Sequence, residues 1–122
     1  MPVVELSLSF LPKPKANRYM RAKGRVFLPY KVSKSIDRAV SEVKSQYKGE
    51  PLRGMLSLKV EFILPDHRKR DMDNLLKSLW DILQRAKVIE DDGHIYELQA
   101  KKRVIKGMGG VKVVISSLAH SG

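Results

Sequence analysis

The sequence predicts an α/β (α+β) domain. A mixed β-sheet carries two main helices, in the order β-(β)-α-β-α-β-β. Three observations predict it. Val4 to Phe10, Leu56 to Leu64 and Val111 to Ile115 alternate or run apolar, as strands do. Two other stretches repeat apolar residues at helical spacing. Helices that alternate with strands give crossover connections and parallel strand pairs, while a glycine turn gives an antiparallel one.

Taken in order, Val3 to Phe10 forms the first strand, and Pro12 and Pro14 stop it. Lys13 to Arg25 reads as a basic loop that contains Tyr19. Val26-Phe27-Leu28 is a strand stub ended by Pro29. Val32, Ile36, Ala39, Val40 and Val43 mark the apolar face of a helix over residues 31 to 47. Ser33 or Ser35 would cap it, with Gly49 and Pro51 past its end. Leu56 to Leu64 is a strand closed by Pro65. Leu75, Leu76, Leu79, Ile82, Leu83 and Ala86 define a second helix from Asn74 to Lys87, with Asp73 where an N-cap would stand. Val88-Ile89 is extended, and Glu90 to His94 is an acidic turn. Ile95 to Ile105 is a ragged strand. Residues 106 to 110 read as a glycine-rich hairpin turn into the last strand.

The chain of 122 residues is one domain's worth, 1–122. It carries 24 Lys and Arg against 13 Asp and Glu, a net charge of +11. Solubility requires far less, so the excess points to a polyanion, foremost nucleic acid. An anionic membrane would call for a basic amphipathic helix or a lipid anchor, and neither is visible. No stretch has the length and apolarity of a membrane span, and the N-terminus does not read as an export signal. With no cysteine, disulfides and thiolate metal sites are excluded. The expected location is cytoplasmic and nucleoid-associated.

The chemistry gathers at residues 65 to 77. Arg68-Lys69-Arg70 stands directly before Asp71-Met72-Asp73 and the second helix. In extended conformation the two carboxylates point to one side, where they repel each other unless a hard cation joins them. Magnesium binds through one or two carboxylates and keeps several waters. The Glu90-Asp91-Asp92 turn offers a third oxygen, which a two-layer fold would return to the same strand end. Plainer readings stand beside these. Asp73 is then an N-cap, Asp71 an ion-pair partner, and the later acidic residues are turn chemistry. Lys77, one turn after Asp73, is either an i,i+4 partner or a cation for the reacting phosphate. His94 reads as a turn histidine. With a metal, such a site would hydrolyse phosphodiesters. A non-catalytic basic nucleic-acid-binding domain fits the charge equally but gives the acidic constellation no purpose. A glycosyltransferase that uses Asp-x-Asp has little room in a domain of this size.

Arg68 to Lys77, followed by Trp80-Asp81-Ile82-Leu83 and Asp91-Asp92, resembles the RusA family of Holliday-junction resolvases. So does Asn17-Arg18-Tyr19 with Arg21, Gly24 and Arg25. The resemblance covers almost the whole chain. It implies a structure-selective endodeoxyribonuclease, a homodimer that nicks opposed strands of a four-way DNA junction with Mg2+ or Mn2+. By motif it makes Asp71, Asp73 and Asp92 the metal and catalytic carboxylates and Lys77 the catalytic lysine. Arg68, Lys69 and Arg70, with Lys13, Lys15, Asn17, Arg18, Arg21, Lys23 and Arg25, are then expected to hold DNA. Two departures stand out. Gly93 and His94 follow Asp-Asp where the family often has a small residue and glutamine, and Ile82 replaces an alanine.

Overall fold

The computed structural model describes residues 3–13, 20–22, 25–27 and 30–118, the pieces 20–22 and 25–27 by backbone only. Its elements are β1 (Val3–Leu8), β2 (Met20–Ala22), β3 (Arg25–Phe27), α1 (Tyr30–Gln46), β4 (Leu56–Leu64), α2 (Met72–Arg85), a short 3-10 turn (Asp92–His94), β5 (Ile95–Val104) and β6 (Gly110–Ser117). The mixed sheet with two helices is therefore as predicted. The basic loop predicted over 13–25 contains β2, which pairs antiparallel with β3.

The main sheet has the order β1-β6-β4-β5. β4 and β5 are parallel with α2 as the crossover, as expected. The predicted hairpin between the last two strands is not formed. β6 instead lies between β1 and β4, antiparallel to both. Burial explains the difference. Val111, Val113 and Ile115 are buried, so β6 is at home in the middle of the sheet, while no residue of β5 is. The chain reaches β6 by passing over the end of β4. Ile105 N–H donates to the Leu64 carbonyl, and Gly107 N–H to that of Pro65, both at 2.9 Å. Gly107 supplies the left-handed backbone this turn needs (φ 79°). Gly110 has room only for hydrogen, since a Cβ would lie 3.0 Å from the Leu8 carbonyl oxygen.

Both helices cover one sheet face. Leu58, Val60 and Phe62 of β4 meet Ile36, Ala39 and Val43 of α1 and Leu75, Leu79, Ile82 and Leu83 of α2. The other face carries Glu5, Lys59, Glu61, Lys101, Arg103 and Lys112, the alternate positions of the same strands.

Helix boundaries differ from expectation in two places. α1 begins at Tyr30, before Ser33 and Ser35, so neither serine caps it; Ser35 Oγ instead accepts from the Lys13 N–H at 3.0 Å. α2 begins at Met72 with Asp71 as N-cap, two residues earlier than Asp73. Asp71 alone of the pair is extended, and Asp73 already stands in the first helical turn. The carboxylates therefore do not share the side of a strand. At its other end α2 closes in a Schellman motif. Lys87 N–H donates to the Gln84 carbonyl and Val88 N–H to that of Leu83, with Lys87 left-handed at φ 61°.

Candidate active site

Asp71 and Asp73 sit where β4 delivers the chain to the amino end of α2. Both are exposed, and Asp71 makes no side-chain capping bond. The first-turn amides of α2 thus keep donor capacity, at the positive end of its dipole. Lys77 follows on the next turn, its Nζ 3.3 Å from Asp73 Oδ2. This is the i,i+4 geometry the spacing predicted.

The basic triplet divides. Arg70 pairs with Asp66, Nη1 to Oδ1 at 2.7 Å, and its side chain is largely covered. Asp66 Oδ1 also accepts the Arg68 N–H at 2.9 Å. Those two bonds hold the Asp66 carboxyl below its usual range, the Arg70 guanidinium contributing most. Lys102 of β5 donates from Nζ to the Arg70 carbonyl at 2.8 Å. Arg68 and Lys69 are exposed, without an ion-pair partner among the described residues. Asp66 and Lys102 are neighbours of the candidate site that sequence reasoning missed. Asp66 carried a signal, four residues before Arg70. Lys102, 32 residues away, carried none.

Asp92 lies elsewhere. β5 is parallel to β4, so the turn that precedes β5 is at the strand end from which β4 starts. Asp92 N–H donates to Gln84 Oε1 at 3.3 Å, near the carboxyl end of α2. A helix of this length spans about 20 Å, which separates Asp92 from Asp71 and Asp73. The expectation that the fold returns the turn to the same strand end is therefore corrected. A right-handed crossover enters and leaves at opposite ends of its strands. Among the described residues of one chain, no three His, Asp or Glu side chains are grouped closely enough to hold a metal ion. Donor chemistry nevertheless suits a hard cation at Asp71 and Asp73, two exposed carboxylates with no competing capping bond.

The acidic turn is well braced. Asp91 Oδ1 accepts the Gly93 N–H at 2.7 Å, which lowers its pKa. The Asp91 side chain, hydrogen-bonded to Asp92, pushes the Asp92 carboxyl up, with burial adding to the shift. His94 Nδ1 lies 3.0 Å from the Gly54 carbonyl oxygen and 3.1 Å from its amide nitrogen, and Nε2 is 2.9 Å from Glu90 Oε1. Glu90 in turn pairs with Arg53. His94 is a structural clamp, as a turn histidine should be.

Of the other expected DNA contacts, Lys13 is exposed beside α1. Arg21 and Arg25 fall on β2 and β3, where only the backbone is described. Lys15, Asn17, Arg18 and Lys23 lie outside the described residues.

A strongly basic two-layer domain with carboxylates, a lysine and free amides at one strand-to-helix junction belongs to the class of phosphodiester-processing nucleic-acid proteins. The family can be named. A family model described as endodeoxyribonuclease RusA matches residues 9–116, and the chain belongs to that family. It is 46% identical over 116 residues to the crossover junction endodeoxyribonuclease RusA of Aquifex aeolicus, covering 94% of this chain and 92% of that one. It is 26% identical over 108 residues to proteins of the same name from Escherichia coli K12 and Enterobacteria phage 82, covering 88% of this chain and 90% of each.

Proposed function

We propose that this protein is a divalent-metal-dependent endodeoxyribonuclease that resolves four-way DNA junctions as a homodimer, by paired symmetric nicks. The observation that carries the reading is the junction of β4 and α2 in a RusA-family chain of +11. Asp71, Asp73, Lys77 and the free amides of α2 converge there, flanked by Arg68 and Lys69.

Asp71 and Asp73 would hold Mg2+, or Mn2+, with Asp92 as the third carboxylate. Bound there, the ion would activate water and polarise the phosphoryl oxygen. Arg68 and Lys69 grip the backbone on either side of the scissile phosphate. The amino end of α2 orients that phosphate through its amides. Lys77 is held at rest by Asp73. Once that carboxylate's charge is engaged elsewhere, its ammonium is available to the charge that develops on the phosphoryl group.

One chain separates Asp92 from the other two carboxylates by the length of α2, so one chain makes an incomplete site. A two-fold that sets the α2 helices of two copies antiparallel brings Asp92 of the second copy to Asp71 and Asp73 of the first, and the reverse. A four-way junction has two symmetric strands to cut, and such a dimer has two symmetric sites.

The test mixes two inactive variants, Asp71→Asn and Asp92→Asn, on a synthetic four-way junction with a duplex control, with and without Mg2+. In a mixed dimer one site then carries both defects and the other none. Nicking should return to about a quarter of wild type at equal mixing. Manganese binding measured by calorimetry should return with it. If the mixture stays inactive, the three carboxylates do not act across chains. If the wild-type protein leaves the junction intact, the nuclease reading fails.

A further inference from the structure

The main sheet has two edges, β1 and β5. The β1 edge is covered from within at its carboxyl end. Ser7 N–H donates to Gln46 Oε1 at 2.8 Å, and Gln46 Nε2 donates to the Ser7 carbonyl at 2.7 Å. Ser9 N–H donates to Glu42 Oε1 at 2.6 Å. From Ser7 onward, side chains of α1 thus occupy positions a further strand would take. β6 is paired on both sides. β5 is the longer edge, ten residues against six, and among the described residues nothing pairs with its outer side. Tyr96 and Leu98 on it are 65% and 41% exposed. A long open edge of this kind is a template for another strand.

We infer that β5 is the dimer edge, pairing antiparallel with β5 of a second copy about a two-fold at Ala100. The inference rests on the homodimer reading above and names its surface.

The charge pattern of β5 is complementary to itself about that centre. On the open sheet face, Glu61 lies between two cations, 3.2 Å from Lys101 Nζ and 3.2 Å from an Arg103 guanidinium nitrogen. One carboxylate therefore serves two positive charges. On the same face, and among the described residues, Glu97 bonds only the Ser57 hydroxyl, at 2.8 Å. A two-fold at Ala100 sets Glu97 of each copy opposite Arg103 of the other, which balances the excess charge twice over. Opposed residues of antiparallel strands share a face, so the pairing is geometrically direct. Leu98 then meets the aliphatic stem of Lys102, Tyr96 meets Val104, and Gln99 meets Lys101. No two like charges stand directly opposed. The Lys101 pair, diagonal across the axis, is held by Glu61 in each copy. The result is one eight-stranded sheet. In it the start of β5, with its acidic turn, lies beside the end of β5 in the other copy. That end is the one whose Lys102 holds Arg70 at the active-site junction.

The chain has no cysteine, which makes the test direct. Residues directly opposed in an antiparallel pair have Cα atoms about 4.5–5.5 Å apart, within disulfide range. Mild oxidation of an Ala100→Cys variant should give a covalent dimer on a non-reducing gel. A Glu5→Cys control on β1 should stay monomeric there. Independently, Glu97→Arg and Arg103→Glu should each weaken dimerisation at least tenfold in sedimentation equilibrium, and the double exchange should restore it, with circular dichroism confirming the fold. A wild-type dimer that neither crosslinks through Ala100→Cys nor responds to the charge changes overturns the β5 edge and leaves the homodimer standing. Singles that weaken the dimer without rescue by the double overturn the opposed Glu97–Arg103 pairing at its centre. A wild-type protein that is monomeric, free and on the junction, removes the homodimer and this inference with it.

Discussion

Asp91 and Asp92 are adjacent carboxylates with different work. Asp91 caps the Gly93 amide, and its side-chain hydrogen bond, with burial and its charge, raises the pKa of Asp92. Replacing Asp71, Asp73 or Asp92 with asparagine should abolish nicking while junction binding survives, because the shape stays and the charge that a metal needs is lost. Asp91→Asn keeps a capping oxygen and should be the mildest of the four; single-turnover nicking rates beside gel-shift affinities test both statements. Asp66 makes a separate, pH-dependent contribution. Its folded pKa is lowered by Arg70 and by the Arg68 amide, so its stabilisation is present above the ordinary value of 3.8 and is lost as pH falls through the lower, folded value. The thermal midpoint of wild type should exceed that of Asp66→Asn near neutrality, and the gap should close in acid. A gap that persists unchanged below pH 3.8 would remove the ion pair as its cause.

At the scale of elements, α2 carries Asp73 and Lys77 near its amino end and meets the Asp92 turn at its carboxyl end. Leu75, Leu79, Ile82 and Leu83 fix it on the sheet, Asp71 begins it, and Lys87 ends it. A left-handed conformation costs a residue with a Cβ about 1–2 kcal/mol, part of which glycine's greater freedom in the unfolded chain gives back. Lys87→Gly should therefore stabilise the protein by about 1 kcal/mol, read from urea denaturation with an unchanged m-value. Unlike this exchange, Ile82→Ala empties a fully buried position and should cost about 2–5 kcal/mol.

For the whole molecule, charge sets the affinity for DNA, and the structure says which charges are free to act. Arg70 is engaged by Asp66, while Arg68 and Lys69 are open. Replacing Arg68 and Lys69 together with alanine should make the slope of log K against log salt shallower by about 1.8, at roughly 0.9 per phosphate on duplex DNA. Fluorescence anisotropy across a salt series measures it. An unchanged slope would move the DNA path off the β4–α2 junction. Among the described residues no helix is long and apolar enough to cross a membrane.

The sequence by itself determined the main elements, though not β2, because their information is local. Alternation in Leu56 to Leu64 and helical spacing from Leu75 to Ala86 fix each backbone through neighbours a few residues away. The placing of Asp71, Asp73 and Lys77 at one strand-to-helix junction was legible for the same reason, since motif and spacing lie within two helical turns. The starts of the helices at Tyr30 and Met72 were missed by one and two residues, because aspartate and serine serve at several places near a helix start. Strand order was beyond the sequence. The glycines at 107, 109 and 110 permit a hairpin as readily as a passage over β4, and only competition for burial puts Val111, Val113 and Ile115 in the middle and β5 at the rim. The place of Asp92 was beyond it too. Seven residues past the end of α2 it is close in sequence to the helix that Asp73 begins, but the crossover holds the two at opposite ends of a parallel strand pair. Distance in space depends on which strands pair, and pairing is decided by the fold as a whole.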